Sequence, residues 1–320
     1  MTHVITSAEY AQILALSPAR EEASVFGNSP YLVVDTGALS AEPRPMPMLP
    51  VIGVGGHIDH PCIDVYAADD SALHKLQAAI DKAPLAAATL VQLLRHNANS
   101  SVADGLFAES LAYSTLQQSA LFQQWVTSGA RPSPSHDEDQ PPVVTGRIRN
   151  TLQIQLNRPQ VHNAFNTAMR DALCEALSVA EMDDTVEEVV ISGNGPSFCA
   201  GGDLSEFGQV RDAAEAHLSR TTRSAGGLLA SLGCRTRVQV HGACIGAGIE
   251  VPAFADFIRA SPDAFFQLPE VSFGLVPGAG GTVSVTRRIG RHRTAYMALT
   301  NERIPAQTAL AWGLVDNIEE

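Results

Sequence analysis

The chain has 320 residues, of which 45% are apolar and 17% are charged, and its formal net charge is −13 at pH 7. This length allows a sizeable buried core and predicts two domains. An acidic chain without a basic block argues against nucleic acid or an anionic membrane as a partner. The sequence contains neither an apolar run of the roughly 20 residues that a membrane helix needs nor the pattern of a secretory signal. Five scattered cysteines without a C-x-x-C pair predict free thiols in a reducing cytoplasm.

Residues 1–129 predict a small α/β unit that ends in helices. Two short apolar runs, Tyr31–Gly37 and Pro50–Gly56, end in glycine and are typical of buried strands. From Ser71 onward the apolar residues recur at helical spacing, and Pro84 suits the first turn of the next helix. A longer helix is predicted over Val102–Val126.

The segment GGHIDHP offers side chains of metal-binding type in His57, Asp59 and His60. No further cluster of ligands stands at a recognisable spacing from them. A solvated loop after the preceding strand is therefore the better interpretation, and we expect no metal site.

Residues 130–142 are dense in proline, serine and acidic residues and cannot build a core. They are predicted to form a linker or mobile loop between residues 1–129 and a second domain over 143–320.

The second part alternates predicted strands with predicted helices. Leu152–Leu156 alternates between apolar and polar residues as a strand does, and Asn166 is suited to cap the helix that follows. Val186–Gly193 and Arg237–Gly242 are the next predicted strands. Strands that alternate with helices and glycine-rich turns indicate a layered α/β fold.

Two glycine-rich turns, Ser192–Glu206 and His241–Glu250, each lead from a strand into a helix. Small residues leave backbone N–H groups bare there, and two such groups aimed at one point can hold a thioester oxygen as it becomes an enolate. Downstream, Gln267–Thr282 carries the motif LPEVSFGLVPGAGGT. In this order and spacing, the three segments resemble the crotonase family of acyl-CoA enzymes, the enoyl-CoA hydratases and isomerases.

The resemblance covers the chain from about Gly146 onward and implies an α/β fold of the crotonase type, a spiral of ββα units. The small α/β unit with its helical extension precedes this spiral. The family also implies a homo-oligomer, either a trimer or a hexamer. Crotonases normally continue with several helices that cover the site, and we expect the helices around Val102–Val126 to cover it here.

The resemblance also assigns roles to individual residues. It implies an oxyanion hole formed by the amides of Gly202 and Ala247, although the family commonly has glycine at the second position. Glu250 and Glu270 match the two glutamates that activate water for Cβ and deliver a proton to Cα. A carboxylate beside another in an apolar cleft has a raised pKa, which suits proton transfer near neutral pH. Pro252 follows Glu250 early in its helix and is expected to kink or shorten that helix.

Substrate contacts follow from the same comparison. The residues implied to contact the substrate are Val161, Asp203, Leu204, Ser205 and Gly278. The candidate cations for the CoA phosphates are Arg147, Arg149, Arg158 and the run Arg287–Arg293. The chemistry requires no metal or redox cofactor, because the thioester itself makes Cα acidic and CoA is part of the substrate.

The primary hypothesis is therefore a cytoplasmic enzyme that hydrates a 2-enoyl-CoA, with isomerisation of its double bond as the second choice. Two alternatives remain open at this point. The N-terminal addition is similar to that of cofactor-free dioxygenases of this family, which act on aromatic acyl-CoA. A catalytically weak subunit that binds acyl-CoA is the other. The sequence does not identify the acyl group.

Overall fold

The computed structural model of the protein describes residues 4–15, 20–39, 45–56, 59–128, 140–210 and 212–319. His57 and residues 130–139 of the predicted linker lie outside these ranges. Within them, no helix combines the length and the apolar composition needed to cross a membrane.

The N-terminal part forms a parallel sheet followed by packed helices. In sheet order, its strands are β1 (Val4–Ile5), β2 (Leu32–Asp35), β3 (Val51–Val54) and β4 (Val65–Tyr66). Its helices are α1 (Ser7–Leu14), α2 (Asp70–Lys82), α3 (Pro84–Asn97), α4 (Val102–Leu116) and α5 (Ala120–Thr127). The predicted strands at Tyr31–Gly37 and Pro50–Gly56 are confirmed as β2 and β3.

The single helix predicted over Val102–Val126 is wrong, because the chain breaks it into α4 and α5. Ser119 lies at the break in an extended conformation, and its hydroxyl accepts a hydrogen bond from the Phe122 N–H at 3.3 Å. A serine that satisfies a free N–H group in this way starts a new helix. The apolar spacing continues across the break, which is why periodicity alone did not reveal it.

The second part contains most of the strands. They are β5 (Val143–Ile148), β6 (Thr151–Leu156), β7 (Glu188–Gly193), β8 (Arg235–Val240), β9 (Ala243–Ile245), β10 (Phe257–Ala260), β11 (Phe265–Gln267), β12 (Ile304–Pro305) and β13 (Asn317–Ile318). The helices are α6 (Thr167–Met182), α7 (Ala213–Thr222), α8 (Ala225–Ser231), α9 (Ala247–Glu250), α10 (Gly281–Thr300) and α11 (Ala306–Trp312). As predicted, Asn166 caps α6, and its side-chain oxygen accepts from the Met169 N–H at 2.8 Å.

These strands form two sheets joined by a repeated path. The larger sheet has the order β13-β10-β8-β7-β6-β5 and is parallel except for the β5–β6 pair. The smaller sheet has the order β12-β11-β9. Strands β8 and β10 of the large sheet are each followed by a strand of the small sheet and then by a helix. The segment after β7 reaches the small sheet too, through a bridge between Cys199 and Cys244 of β9. This repeated strand–strand–helix path confirms the predicted α/β fold.

A smaller hydrophobic cluster packs α1 on the N-terminal sheet, and the main hydrophobic core spans both parts. Its buried residues include Leu90 and Leu94 of α3 and Val285 and Met297 of α10. An ionic cluster adds to this contact: the buried carboxylate of Asp64 accepts hydrogen bonds from Arg95 of α3 and Arg291 of α10. The N-terminal helices are therefore fixed against the helix that follows the glycine-rich segment of the second part.

Candidate active site

The two glycine-rich turns lie side by side, because the segment after β7 pairs with β9. The Cys199 N–H donates to the Ala243 carbonyl at 3.1 Å, and the Ile245 N–H donates to the Cys199 carbonyl at 3.0 Å. Each turn then passes through a glycine with positive φ, Gly201 at +95° and Gly246 at +50°. A methyl group on Gly246 would lie 3.7 Å from the Cα atom of Gly201, so the two turns are in contact.

The residues after these glycines, Gly202 and Ala247, line one cavity. Among the described residues, neither backbone N–H has a hydrogen-bond acceptor. Ala247 is the first residue of α9, where an N–H has no partner within the helix. It keeps an ordinary φ because Gly246 adopts the positive one. Two preorganised donors of this kind can stabilise charge that develops on an oxygen bound between them.

Glu250 ends α9 and is buried. Its Oε2 accepts hydrogen bonds from the N–H groups of Ala279 at 2.8 Å and Gly281 at 2.9 Å. Pro252 begins a 3₁₀ turn directly afterwards, so α9 is a single turn of four residues. The shortening predicted from Pro252 is confirmed, and hydrogen bonds from the facing segment hold the Glu250 carboxylate.

Glu270 is also buried, and its Oε2 has no hydrogen-bond partner among the described residues. A methyl group on Gly246 would lie 2.5 Å from Oε1 of Glu270 and 3.7 Å from Oε1 of Glu250. The two carboxyl groups therefore flank Gly246, one residue before the Ala247 amide. Only glycine fits this position, because its φ is positive and the space beside it is filled.

A third buried carboxylate, Glu109, comes from α4 of the N-terminal part. Its Oε1 accepts from the Gly280 N–H at 2.7 Å, and its Oε2 accepts from the N–H and hydroxyl of Thr282 at 2.9 and 2.6 Å. Glu109 and Glu250 thus alternate along four consecutive N–H groups at the start of α10, from Ala279 to Thr282. Carboxylates satisfy the free N–H groups of a helix start and complement its dipole.

Burial raises the pKa of all three carboxyl groups, to about 7 for Glu250, to about 8 for Glu109 and well above its usual range for Glu270. The charge of Glu250 adds to this effect at the other two. Hydrogen bonds from backbone N–H groups favour the ionised forms of Glu250 and Glu109 and act in the opposite direction. The cluster therefore keeps protons near neutral pH, where it can both give and take them.

A cavity of about 700 Å³ opens onto these groups, and α4 forms one of its walls. Leu106, Glu109 and Tyr113 of α4 line it together with both glutamates of the second part. The Tyr113 ring packs on Gly278, where an added methyl group would lie 2.2 Å from Cδ2 of the ring. The expectation that helices around Val102–Val126 lie against Glu250 and Glu270 is confirmed for α4.

Of the residues implied to contact the substrate, Gly278 lines this cavity. The others lie outside its lining: Val161, Asp203, Leu204 and Ser205. The Asp203 carboxylate accepts from the Ser205 hydroxyl at 2.7 Å and pairs with Arg158 at 3.2 Å, so it holds the turn in place. The contact of these four residues with the CoA part of a bound substrate stays a prediction.

Most of the arginines predicted as phosphate partners bind other residues of the fold. Arg147 pairs with Asp183, Arg158 with Asp203, Arg288 with Asp316 and Arg291 with Asp64. The arginines that line the cavity are instead Arg170, Arg220 and Arg223.

The described side chains support neither a cysteine nucleophile nor a metal centre at this site. Burial raises the pKa of the Cys199 thiol to about 12, so this cysteine is not a thiolate near neutral pH. In the ranges that the structure describes, no three histidine, cysteine, aspartate or glutamate side chains are grouped to hold a metal ion.

Comparison with known proteins agrees with this geometry. The family model for enoyl-CoA hydratase/isomerase matches residues 147–319. The 2,3-dehydroadipyl-CoA hydratase of Escherichia coli K12 is 35% identical over 176 residues, which are 55% of this chain and 68% of the relative. The chain belongs to the enoyl-CoA hydratase/isomerase family.

Other relatives and solved structures of the family match the same part. The trans-2-decenoyl-[acyl-carrier-protein] isomerase of Streptococcus mutans is 34% identical over 52% of this chain and 65% of its own length. The mitochondrial enoyl-CoA hydratase of Pongo abelii is 35% identical over 54% of this chain and 59% of its own length. The crystal structure of enoyl-CoA hydratase from Thermoplasma volcanium covers 56% of this chain and 72% of its own, with 33% identity and a TM-score of 0.52. The chain thus spans about two thirds of its relatives' length, and the predicted crotonase-type fold is confirmed.

Glu109 and Arg220 are the site residues that sequence reasoning missed. Glu109 lies before the part that matches the family, and a glutamate on a helix is ordinarily at the surface. A signal was present, because Leu106 and Tyr113 stand three and four residues away on the same helical face. Arg220 lies within the matched part but outside the three motifs that carried the comparison.

Proposed function

We propose that the protein adds water across the double bond of a 2-enoyl-CoA thioester. The observation that carries this proposal is the convergence of two free N–H groups, from Gly202 and Ala247, and two buried carboxyl groups, from Glu250 and Glu270, on one cavity. Membership of the enoyl-CoA hydratase/isomerase family supports the same reaction class.

The two N–H groups would hold the thioester oxygen. As water adds at Cβ, electrons move toward that oxygen, and preorganised donors stabilise the resulting enolate. A single donor contributes about 3 kcal/mol in comparable sites. The same polarisation makes Cα basic enough to accept a proton, so the mechanism needs no redox cofactor or metal.

The environments of the two glutamates suggest different roles. Two backbone N–H groups bind Oε2 of Glu250 and favour its ionised form, which suits a base that takes a proton from water. Glu270 has a buried oxygen without a hydrogen-bond partner among the described residues, and burial together with the charge of Glu250 favours its protonated form. We assign Glu250 as the base and Glu270 as the acid that protonates Cα.

Isomerisation is the second candidate, because a relative with 34% identity is a trans-2-decenoyl-[acyl-carrier-protein] isomerase. Moving a double bond requires proton transfer at two carbons and no water, so one of the carboxyl groups would suffice. The presence of both carboxyl groups beside Gly246 favours hydration over this alternative.

Mass spectrometry of 2-enoyl-CoA thioesters incubated with the protein in H₂¹⁸O tests the proposal. Gain of one labelled water supports hydration, whereas a shifted double bond without ¹⁸O supports isomerisation. In a separate incubation under ¹⁸O₂ in unlabelled water, incorporation of ¹⁸O into an aromatic acyl-CoA would instead support a dioxygenase. Binding of acyl-CoA without any reaction across aliphatic and aromatic thioesters would favour a binding subunit. Glu181, exposed on α6, provides a matched control as Glu181→Gln.

A further inference from the structure

Three arginines line the cavity, and they differ in how their charges are balanced. Arg170 pairs with Asp171 at 2.8 Å, and the half-exposed Arg223 lies 3.9 Å from Glu175. Within the described part of the chain, no carboxylate lies within 4 Å of the Arg220 guanidinium. Arg220 is therefore the cation of this wall that lacks a close anionic partner.

The surroundings of Arg220 leave hydrogen-bonding capacity unused. Its guanidinium carbon lies 4.4 Å from the centre of the Tyr113 ring, and one Nη donates to the Ser114 hydroxyl. Its Nε is buried and has no acceptor among the described residues. Burial lowers the pKa of Arg220, but a guanidinium stays charged in proteins. A half-buried charge with free donors is costly unless an anion binds to it.

Tyr113 separates Arg220 from the carboxyl groups described above. The Tyr113 ring packs on Gly278, and the next residue, Ala279, donates its N–H to Glu250. Arg220 and the two glutamates therefore line the same cavity, with an aromatic ring between the cation and the backbone segment that holds Glu250. A ligand that binds beside Glu250 in this cavity can therefore extend toward Arg220.

We propose that Arg220 binds a carboxylate at the far end of the acyl group. The substrates would then be monothioesters of unsaturated dicarboxylic acids, an inference that rests on the proposed function. A guanidinium is well matched to a carboxylate because it can donate two parallel hydrogen bonds.

A phosphate of CoA is the other anion that could meet this cation. Apolar side chains of the same cavity, from Leu106, Phe165 and Leu228, suit an acyl chain better than a strongly hydrated phosphate. Arg220 also contacts Tyr113 and Ser114 of α4, the helix that carries Glu109. Both observations favour the acyl end of the ligand.

Calorimetric titration with two unreactive ligands of equal chain length, adipoyl-CoA and hexanoyl-CoA, tests this inference. They differ in one terminal carboxylate. We expect the wild type to bind adipoyl-CoA about tenfold more tightly, since a hydrogen-bonded charge contributes at least that much. Arg220→Met abolishes this preference and leaves hexanoyl-CoA binding within about threefold, whereas the exposed Arg235→Met retains the preference.

Several outcomes would overturn the inference. Equal binding of the two ligands by the wild type would do so. Arg220→Met could instead weaken the binding of both ligands equally. If this loss of affinity is absent with acyl-pantetheines, which lack the phosphates, Arg220 binds the CoA part of the ligand. If Arg220→Met does not fold, Arg220→Lys keeps the charge without the planar fork and is expected to retain only part of the preference. A wild-type preference without hydration of any thioester would support the anion site and contradict the proposed function.

Discussion

Replacing Glu109 with glutamine preserves the shape of the side chain but removes one of the two oxygens that hold the start of α10. The remaining oxygen can accept from Gly280 or from Thr282, and the new NH₂ group then faces the other N–H. One buried N–H is left without an acceptor, which costs about 1–3 kcal/mol. The free energy of unfolding is expected to fall by that amount, and the thermal midpoint by a few degrees.

Glu109→Gln is not expected to change the pH at which Glu250 ionises. The groups that face Glu250 from neighbouring elements include Glu109, Glu270 and Tyr113. Glu109 has the higher pKa of the two and is still protonated where Glu250 ionises, so burial, rather than the charge of Glu109, raises the pKa of Glu250. If Glu250 is the base, the acid limb of the kcat/KM profile is expected to stay near pH 7 in Glu109→Gln.

Stability provides an independent readout of the same charges. In the unfolded chain these carboxyl groups lose their protons near pH 4.5, whereas the folded protein keeps those of Glu250 and Glu109 to about pH 7 and 8. The folded state therefore binds more protons across this window, and stability falls as pH rises through it. Glu109→Gln removes one such proton, so its stability falls less steeply.

Urea unfolding at pH 5 and pH 8, together with kcat/KM from pH 5 to 9, measures both effects. Glu181→Gln, exposed on α6, is the control. A wild-type pH dependence of stability in Glu109→Gln, or a displaced acid limb of the rate, would contradict this assignment of charges, even if the variant were less stable at every pH.

Three further substitutions test the Ala247 amide, the turn at Gly246 and the ion pairs of Asp64. Ala247→Pro removes the N–H at the first position of α9, where proline fits. It is expected to lower kcat about 10²–10³-fold. Ala247→Gly keeps the N–H and is expected to retain the wild-type rate. Gly246→Ala places a methyl group 2.5 Å from Oε1 of Glu270 at a positive φ, so both activity and thermal midpoint are expected to fall, by about 1–3 kcal/mol in stability. Asp64→Asn leaves Arg95 and Arg291 without the negative charge that both contact. The free energy of unfolding in urea is expected to fall by about 3–5 kcal/mol. Unfolding is expected in a single transition, because the main hydrophobic core spans both parts.

Features set by a few neighbouring residues could be predicted from the sequence. A local apolar run determines the strand at Pro50–Gly56. One side-chain hydrogen bond determines the cap at Asn166, and the missing N–H of Pro252 ends the short helix before it. The two glycine-rich turns could be placed together because their order matched a known family. Whether the amides of Gly202 and Ala247 act as an oxyanion hole stays a prediction.

Contacts between distant segments could not be predicted in this way. The hydrogen bonds of Glu109 span more than 170 positions of the chain, and nothing near Glu109 identifies Gly280 as its partner. The run Arg287–Arg293 looked suited to phosphates by charge alone, yet Arg291 pairs with Asp64, the residue before β4. Which part of a helix faces another part of the chain depends on the tertiary fold, and composition does not encode it.

The role of Glu270 is tested most directly by measuring water addition and acyl-CoA affinity in the same preparation of Glu270→Gln. Glutamine keeps the volume of the side chain but cannot donate the proton from a carboxylic acid. If Glu270 protonates Cα, hydration of a 2-enoyl-CoA falls at least about 10²-fold, while the Kd for a saturated acyl-CoA stays within about threefold of the wild type. Hydration at the wild-type rate in this variant would contradict the assignment of the site.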